Sequence, residues 1–202
     1  MYKLKKNFFS RWSEGTAYTL GYFCANGCLY RSPQGYYSII FNSADTSVLN
    51  QIKEVMGSNH KLHGDGTQLR IGSYDLALQL EEILGFSSNK NQNMKYPKVP
   101  REYFPHFLRG YFDGNGCWIV EKERRIISSI TCPNPEFLEG LRDDLVLEGL
   151  TRANIHRIED RGVTHMIRYF IQDTQKLHDL IYYKATIYGR RKKAQYDAGR
   201  KN

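Results

Sequence analysis

Long hydrophobic runs are missing from this chain of 202 residues, and no stretch approaches the roughly 18 apolar residues of a membrane-spanning helix. The opening segment MYKLKKNFF is basic but lacks the apolar core of a secretory signal peptide. Cysteine is also scarce, and no histidine stands at ligand spacing from Cys24, Cys28, Cys117 or Cys132, which argues against a zinc site. We therefore expect an intracellular protein with reduced thiols, in the cytoplasm, the nucleoid or an organelle matrix, and not a secreted one.

Acidic residues are in deficit, since 21 Asp and Glu stand against 29 Lys and Arg and give a net charge of +8. A content of 41% hydrophobic and 13% aromatic residues is enough to bury a core, which excludes a disordered chain. The positive surplus favours a polyanionic partner such as nucleic acid over an acidic small molecule.

The chain contains an internal repeat. The octets LGYFCANG at 20–27 and RGYFDGNG at 109–116 share Gly-Tyr-Phe and a terminal Asn-Gly, and cysteine follows both. The offset that carries Asn26 onto Asn115 is 115 − 26 = 89 positions, and it also relates apolar residues further along. The second half therefore copies the first.

Each half predicts the same order of elements after its octet. In the first half, alternation and turn residues predict two strands in 28–42 and a hairpin in 60–73, while helical spacing predicts helices in 43–57 and 74–85. The matching segments of the second half are 117–132, 134–149, 151–172 and 173–183.

This order predicts an α+β fold of two pseudo-symmetric αββαββα repeats, as in a fused homodimer. We expect an N-terminal repeat at 1–86 and a C-terminal repeat at 102–183. The segment 87–101 is polar, has two prolines and no apolar period, and is interpreted as a linker. A basic helix and tail should occupy 184–202, with the helix in 185–199.

The octets are predicted to be buried helices, because they are apolar nearly all round. Each has small residues four positions apart, which would let two helix backbones approach closely at the repeat interface. We expect both helices to end in a left-handed conformation at Gly27 and Gly116. The small interface residues are Gly21, Ala25, Gly110 and Gly114.

These features resemble the LAGLIDADG family, the single-chain homing endonucleases (meganucleases) and their maturase relatives. TLGYFCANG at 19–27 and LRGYFDGNG at 108–116 occupy the family motif, and the likeness runs through both repeats to YYKATIYGRRK. The resemblance implies two antiparallel sheets that form a saddle over double-stranded DNA. It also implies a monomer that reads a long pseudo-palindromic site through the major groove and hydrolyses both strands.

In active relatives the penultimate motif residue is an acid, and the two acids hold a divalent cation such as Mg²⁺ between the scissile phosphates. Asn26 and Asn115 occupy these catalytic and metal-binding positions here. A neutral amide supplies none of the charge that Mg²⁺ favours. We therefore expect the metal binding of the active parent enzyme to be weakened or absent in this chain.

Three interpretations of the Asn-Gly endings remain open: a simple helix cap, a natural relative that binds without cutting, and an enzyme disabled by design. We favour the last, because isosteric changes of Asp to Asn stand at both symmetry-related positions. Alternative functions on the same scaffold are a non-cleaving RNA maturase and a DNA-binding repressor. Asp113, two positions before Asn115, points elsewhere around its helix and is interpreted as a structural hydrogen-bonding residue.

Strand alternation should place DNA-reading side chains on the outward face of each sheet. Four candidates for a role near the scissile phosphates, which the resemblance implies, are Gln68, Arg70, Arg168 and Gln172. The candidate DNA-binding residues are Arg31, Gln34, Tyr36, Lys61, His63, Gln68, Arg70, Glu121, Arg125, Arg157, Arg168, Arg190, Arg191, Lys192 and Lys193. The target sequence and the intron, intein or free-standing origin of the reading frame are left open.

Overall fold

A computed structural model describes residues 2–86, 94–121, 125–159 and 162–201. Over these ranges the chain forms seven α-helices and two four-stranded antiparallel sheets, one sheet in each repeat. The predicted α+β fold of two αββαββα repeats is confirmed. None of the helices in the described ranges combines the length and apolar character needed to cross a membrane.

The first repeat follows the predicted order, and its sheet has the strand order β1-β2-β4-β3. A short 3-10 helix at Phe8–Ser10 precedes it. The elements are α1 at Glu14–Asn26, β1 at Gly27–Arg31, β2 at Tyr37–Asn42, α2 at Thr46–Val55, β3 at Leu62–His63, β4 at Gln68–Gly72 and α3 at Tyr74–Leu84.

The second repeat has the equivalent strand order β5-β6-β8-β7 and is followed by one more helix. A 3-10 turn at Arg101–Tyr103 leads into it. The elements are α4 at Phe104–Asn115, β5 at Gly116–Val120, β6 at Ile126–Cys132, α5 at Pro135–Leu147, β7 at Ile155–Glu159, β8 at Val163–Tyr169, α6 at Ile171–Tyr182 and α7 at Arg190–Lys201.

The pairing register shows how closely the sheets correspond. Ile40 pairs with Arg70 in the first sheet and Ser129 pairs with Arg168 in the second. Positions 40 and 129 are related by the offset of 89, so the two arginines occupy equivalent places. Their own offset is 168 − 70 = 98, because the second repeat holds nine additional residues between β6 and β8.

The hydrophobic core lies between the helices and one face of each sheet. Leu29, Phe41 and Leu69 are buried in the first sheet, and Ile130 and Ile167 occupy the same layer of the second. Strand residues alternate between this helix-covered face and the opposite face, which we call the outward face. The core thereby fixes which side chains the sheets present outward.

The two octet helices contact each other at backbone distance. A Cβ atom added at Gly21 would lie 2.0 Å from the carbonyl oxygen of Phe107, and one at Gly110 would lie 2.0 Å from that of Tyr18. No side chain fits in either place. Glycine at these two positions is therefore a requirement of the helix–helix contact.

The left-handed helix ends predicted at Gly27 and Gly116 are wrong. Their φ angles are −96° and −88°, because the chain passes from each helix directly into an extended strand. A Cβ atom would lie 2.3 Å from the Phe23 ring at the first glycine and 2.2 Å from the Phe112 ring at the second. Glycine is needed here for space beside an aromatic ring, and not for its conformational freedom.

Part of the predicted linker 87–101 is packed against the protein. Residues 87–93 lie outside the described ranges. Met94 is buried, and the Tyr96 hydroxyl donates a hydrogen bond to Asp144 at 2.5 Å. The polar composition concealed these contacts, because isolated apolar anchors produce no periodic pattern.

Candidate nucleic-acid interface and helix-end centre

Asn26 and Asn115 are the last residues of α1 and α4, and both are half-buried. The helix ends lie close together, since a Cβ atom at Gly114 would be 2.3 Å from the Ala25 Cβ and 3.5 Å from the Asn26 Nδ2. The small residues of the octets thus bring the two amide-bearing ends to one place. We call this region the helix-end centre.

Two equivalent tyrosines anchor these helix ends to the sheets. The Tyr22 hydroxyl donates to the Asn42 carbonyl at 2.9 Å, and the Tyr111 hydroxyl donates to the Thr131 carbonyl at 3.0 Å. Burial raises the pKa of both phenols, so they remain neutral donors. The anchors hold both helix ends against the central strands β2 and β6.

The donor set at the helix-end centre does not fit a divalent cation. Asn26 and Asn115 contribute neutral amides, and Mg²⁺ favours charged oxygen ligands. Among the described residues, no group of three or more His, Cys, Asp or Glu side chains could hold a metal ion. The nearest acid in the octets, Asp113, is directed into the protein.

Asp113 is a buried hydrogen-bond acceptor that joins three parts of the chain. Its Oδ2 accepts from the Tyr18 hydroxyl at 2.8 Å and from the Gly189 N–H at 2.6 Å, while its Oδ1 has no partner within the described residues. Burial raises the pKa of this carboxyl to about 6, although both hydrogen bonds oppose the rise. This geometry agrees with the structural role expected from the sequence.

Asp113 lines a cavity of about 130 Å³ that also borders Asn26, Asp45 and Lys192. The sequence suggested Lys192 as a DNA-binding residue, but its side chain points into the protein. Its ammonium donates to the carbonyls of Phe112, at 2.6 Å, and Gly116, where α4 ends. Burial lowers the pKa of Lys192 to about 8. A cation at a helix C-terminus interacts favourably with the helix dipole, which explains its inward position.

The helix predicted at 185–199 begins only at Arg190, because the residues before it cross between the two repeats. The buried Arg109 donates from Nε to the Ile187 carbonyl at 2.6 Å. On the other repeat, Gln51 exchanges hydrogen bonds with the backbone of Tyr188 at 3.0 and 3.1 Å. These backbone groups are bound by side chains and are not available to a helix.

The outward face of the first sheet holds several of the predicted side chains. Arg70 is exposed in the middle of β4, and Gln68 lies two residues before it on the same face. The Gln68 Nε2 donates to the Asn42 Oδ1 at 3.0 Å, and His63 pairs with Gln68 across the strands. Lys61 lies immediately before β3 and two residues before His63, so the alternation of the strand places both on the same face.

The second sheet repeats part of this arrangement. Arg168 is exposed on β8 at the place equivalent to Arg70. Glu121 and Arg125 flank the β5–β6 hairpin, where the Glu121 N–H donates to the Arg125 carbonyl at 2.8 Å. His156 occupies the place equivalent to His63 and was missed by the sequence analysis, although the alternation of β7 could have identified it.

Two predicted outward arginines lie on the other face. Arg31 lies two residues after the buried Leu29 in β1 and is therefore on the same, helix-covered face. Its guanidinium lies over the Tyr37 ring at 5.4 Å. Arg157 shares the alternation of Ile155, which packs against the core, and forms an ion pair with Glu159. Both arginines lie on edge strands, Arg31 at the end of β1 and Arg157 in the middle of β7.

Gln172 is in the first turn of α6, whereas the sequence placed it at the end of a strand. The strand stops at Tyr169 and the helix begins at Ile171. Gln34 and Tyr36 lie in the exposed turn between β1 and β2, and 75% of the Tyr36 side chain is accessible. Gln34 and Tyr36 therefore lie beside the first sheet, whereas Gln172 lines a cavity together with Arg168.

The basic residues of α7 are divided between two environments. Arg190 and Arg191 are exposed at its first turn. Lys193 is half-buried, pairs with Asp197 at 2.8 Å and lies over the Tyr182 ring at 5.7 Å. Of the four candidate DNA-binding residues at the start of α7, Arg190 and Arg191 are therefore the more accessible pair.

No family model and no curated protein matches the sequence. The fold is similar to that of solved homing endonucleases. I-DmoI in complex with DNA and Ca is 17% identical with a TM-score of 0.63, and 94% of this chain aligns with 98% of that one. The meganuclease I-SmaMI bound to uncleaveable DNA is 13% identical with a TM-score of 0.58, and 94% of this chain aligns with 90% of that one. The LAGLIDADG meganuclease I-AabMI bound to uncleaved DNA is 15% identical with a TM-score of 0.59, and 90% of this chain aligns with 88% of that one. The predicted LAGLIDADG resemblance is confirmed at the level of the fold.

Proposed function

We propose that this protein is a monomer that binds a long double-stranded DNA site sequence-specifically, with the scaffold of a LAGLIDADG homing endonuclease. Solved proteins of the same fold are homing endonucleases, and several were solved with DNA. The observation that carries the proposal is the equivalent placement of Arg70 and Arg168 on the outward faces of two related sheets. Two such faces related by a pseudo-two-fold axis suit two half-sites of one duplex.

The outward residues suit contact with DNA in their chemistry. Arg70 and Arg168 can donate two hydrogen bonds to guanine, and Gln68 can pair with adenine. Arg190 and Arg191 add positive charge at the start of α7, where they can contact phosphates and increase the salt dependence of binding. The net charge of +8 suits such a polyanionic partner.

We further propose that the chain cleaves its bound DNA weakly or not at all. Structures of I-DmoI with Mn and with Ca point to divalent-metal chemistry in such proteins. Asn26 and Asn115 stand where the charged ligands would be expected, so this chain retains the binding surfaces and lacks the acids. We propose an intracellular location, in which its four free thiols would stay reduced.

Competition binding tests this proposal. The purified chain is first used to select sites from a randomised duplex library, and structured RNA then competes with the selected duplex at fixed salt. We expect preferential retention of the duplex and a linear fall of log affinity with log salt concentration. Preference for RNA would favour a maturase, and binding without any sequence selection would contradict the proposal.

A further inference from the structure

The outward faces of the two sheets differ in chemistry although their geometry is the same. Arginine, histidine and cysteine recur at equivalent places in both, as the pairs Arg70 with Arg168 and His63 with His156 illustrate. Between these shared side chains, the second sheet has apolar residues where the first has polar or small ones. This exchange of side chains is independent of the helix-end centre.

The first two exchanges lie on the hairpin strands. Tyr30 and Ser38 in β1 and β2 correspond through the offset of 89 to Ile119 and Ile127 in β5 and β6. Ile127 is on the outward face, yet only 3% of its surface is accessible. Neighbouring side chains cover most of Ile127, and its remaining surface borders a cavity on this face.

The other two exchanges lie on the third strand of each sheet. Gln68 and Gly72 in β4 correspond through the offset of 98 to Met166 and Phe170, at β8 and just beyond it. The Phe170 side chain is 68% exposed. One pair among the described outward residues differs in the opposite sense, because the first sheet has the apolar Ile40 where the second has the polar Ser129.

Three of these four apolar residues of the second sheet line a concave surface and not a flat patch. A cavity of about 790 Å³ is lined by Ile127, Met166 and Phe170. Arg125, Arg152 and Arg168 also line it and outnumber the acids Glu121 and Asp173, so the lining carries a positive surplus beside its apolar residues. A positive surplus suits the phosphate backbone of DNA better than it suits another copy of this basic chain.

We infer that this cavity determines specificity by receiving the C5-methyl groups of thymine in one half-site. The inference rests on the proposed function. Of the groups that base pairs present in the major groove, the thymine methyl is the apolar one, and side chains without hydrogen-bonding groups can read a base only through it. The polar face around Gln68 should instead read the other half-site by hydrogen bonds. The two half-sites are thus recognised by different chemistry.

Deoxyuridine substitution tests this inference with the unaltered protein. Deoxyuridine pairs as thymine does but lacks the methyl group, so replacing thymines of the selected site removes only the apolar contact. We expect Kd to rise about fourfold for each contacted methyl in one half-site, from the free energy of burying one such group, and to be unchanged in the other.

Exchange variants then assign the effect to a sheet. Ile127→Ser combined with Met166→Gln, which introduces the side chains of the first sheet, should abolish the sensitivity to deoxyuridine. The matched control, Ser38→Ile combined with Gln68→Met, should keep it. Circular dichroism and thermal unfolding verify that both variants fold.

The possible outcomes separate this inference from the proposed function. Sequence-specific duplex binding that is indifferent to deoxyuridine, or equally sensitive in both half-sites, would overturn the inference alone. A sensitivity that survives the Ile127→Ser and Met166→Gln exchange would also overturn it, as would concentration-dependent dimerisation that Phe170→Ser abolishes. Failure to select any duplex would overturn the proposed function and this inference together.

Discussion

The helix interface and the sheet faces come from the same repeat but differ in how similar their two copies are. In the helices, Gly21 and Gly110 both lie against a backbone carbonyl, where no larger residue fits. On the sheets, Ser38 and Ile127 occupy equivalent places with different chemistry. The fold therefore restricts the interface, whereas the outward faces can vary without disturbing the core.

A second contrast lies beside the helix ends. Asp113 borders a cavity with charged neighbours, whereas its counterpart Cys24 borders one of about 120 Å³ lined by Met94 and Cys132. Burial raises the pKa of both Cys24 and Cys132, so these thiols behave as small apolar groups. The pseudo-two-fold axis thus relates a polar cluster to an apolar one, and the polar cluster should make stability depend on pH.

The largest expected effect comes from filling the helix contact. Gly110→Ala should lower the free energy of unfolding by about 4 kcal/mol, because its Cβ would collide with the Tyr18 carbonyl and force the helices apart. Urea denaturation measures the change. Gly72→Ala is the matched control, since its nearest neighbour would be at 3.9 Å, and it should leave stability nearly unchanged. Equal effects of the two substitutions would contradict the tight interface.

Removing the buried charge should give the next largest effect. The folded pKa of Asp113 is raised to about 6, above the ordinary value of 3.8, so the folded state favours the neutral acid. Its contribution to stability is complete below about pH 4 and is lost as the pH rises through 6. The two-unit difference corresponds to about 3 kcal/mol.

Asp113→Asn keeps an acceptor for Tyr18 and Gly189 but has no charge to bury. The variant should therefore lose the decline in stability between pH 4 and 6, and it should be no less stable than the unsubstituted chain at pH 7.5. Thermal unfolding across this pH range measures both expectations. Asp143→Asn, at an exposed position, is the control and should leave the profile unchanged. A profile for Asp113→Asn parallel to that of the unsubstituted chain would exclude this origin of the pH dependence.

The smallest effect tests the assignment of sheet faces. Arg70→Ala and Arg168→Ala should each raise Kd for the selected duplex about tenfold, or about 1.4 kcal/mol, because both arginines are outward. Arg31→Ala and Arg157→Ala remove the same charge from the other face and should change Kd far less. Fluorescence anisotropy at fixed salt gives the comparison. If all four substitutions weaken binding equally, charge and not facing direction determines the contact.

The repeat made much of the architecture predictable from the sequence. The offset of 89 relates the octets, and strand and helix periodicity then gives the order of elements in both halves. The contact of Gly21 and Gly110 follows from small residues in helices that are otherwise apolar nearly all round. These features are local or periodic, so a single sequence reports them well.

Features that depend on three-dimensional context were harder to predict. The facing of Arg31 and Arg157 required the strand register, since one residue of shift reverses the face. The inward position of Lys192 depends on carbonyls at the end of α4, which are distant in sequence. Gly27 suggested a left-handed cap, but its role depends on the Phe23 ring. Composition cannot distinguish such cases.

The central claim is that Asn26 and Asn115 occupy the place of two catalytic acids on an otherwise intact DNA-binding scaffold. The most direct measurement is duplex cleavage by Asn26→Asp combined with Asn115→Asp, on the selected site with Mg²⁺, beside the unsubstituted chain and each single variant. We predict that the double variant cuts both strands and that the unsubstituted chain does not. A double variant that binds the same duplex with unchanged affinity and leaves it intact would contradict the account.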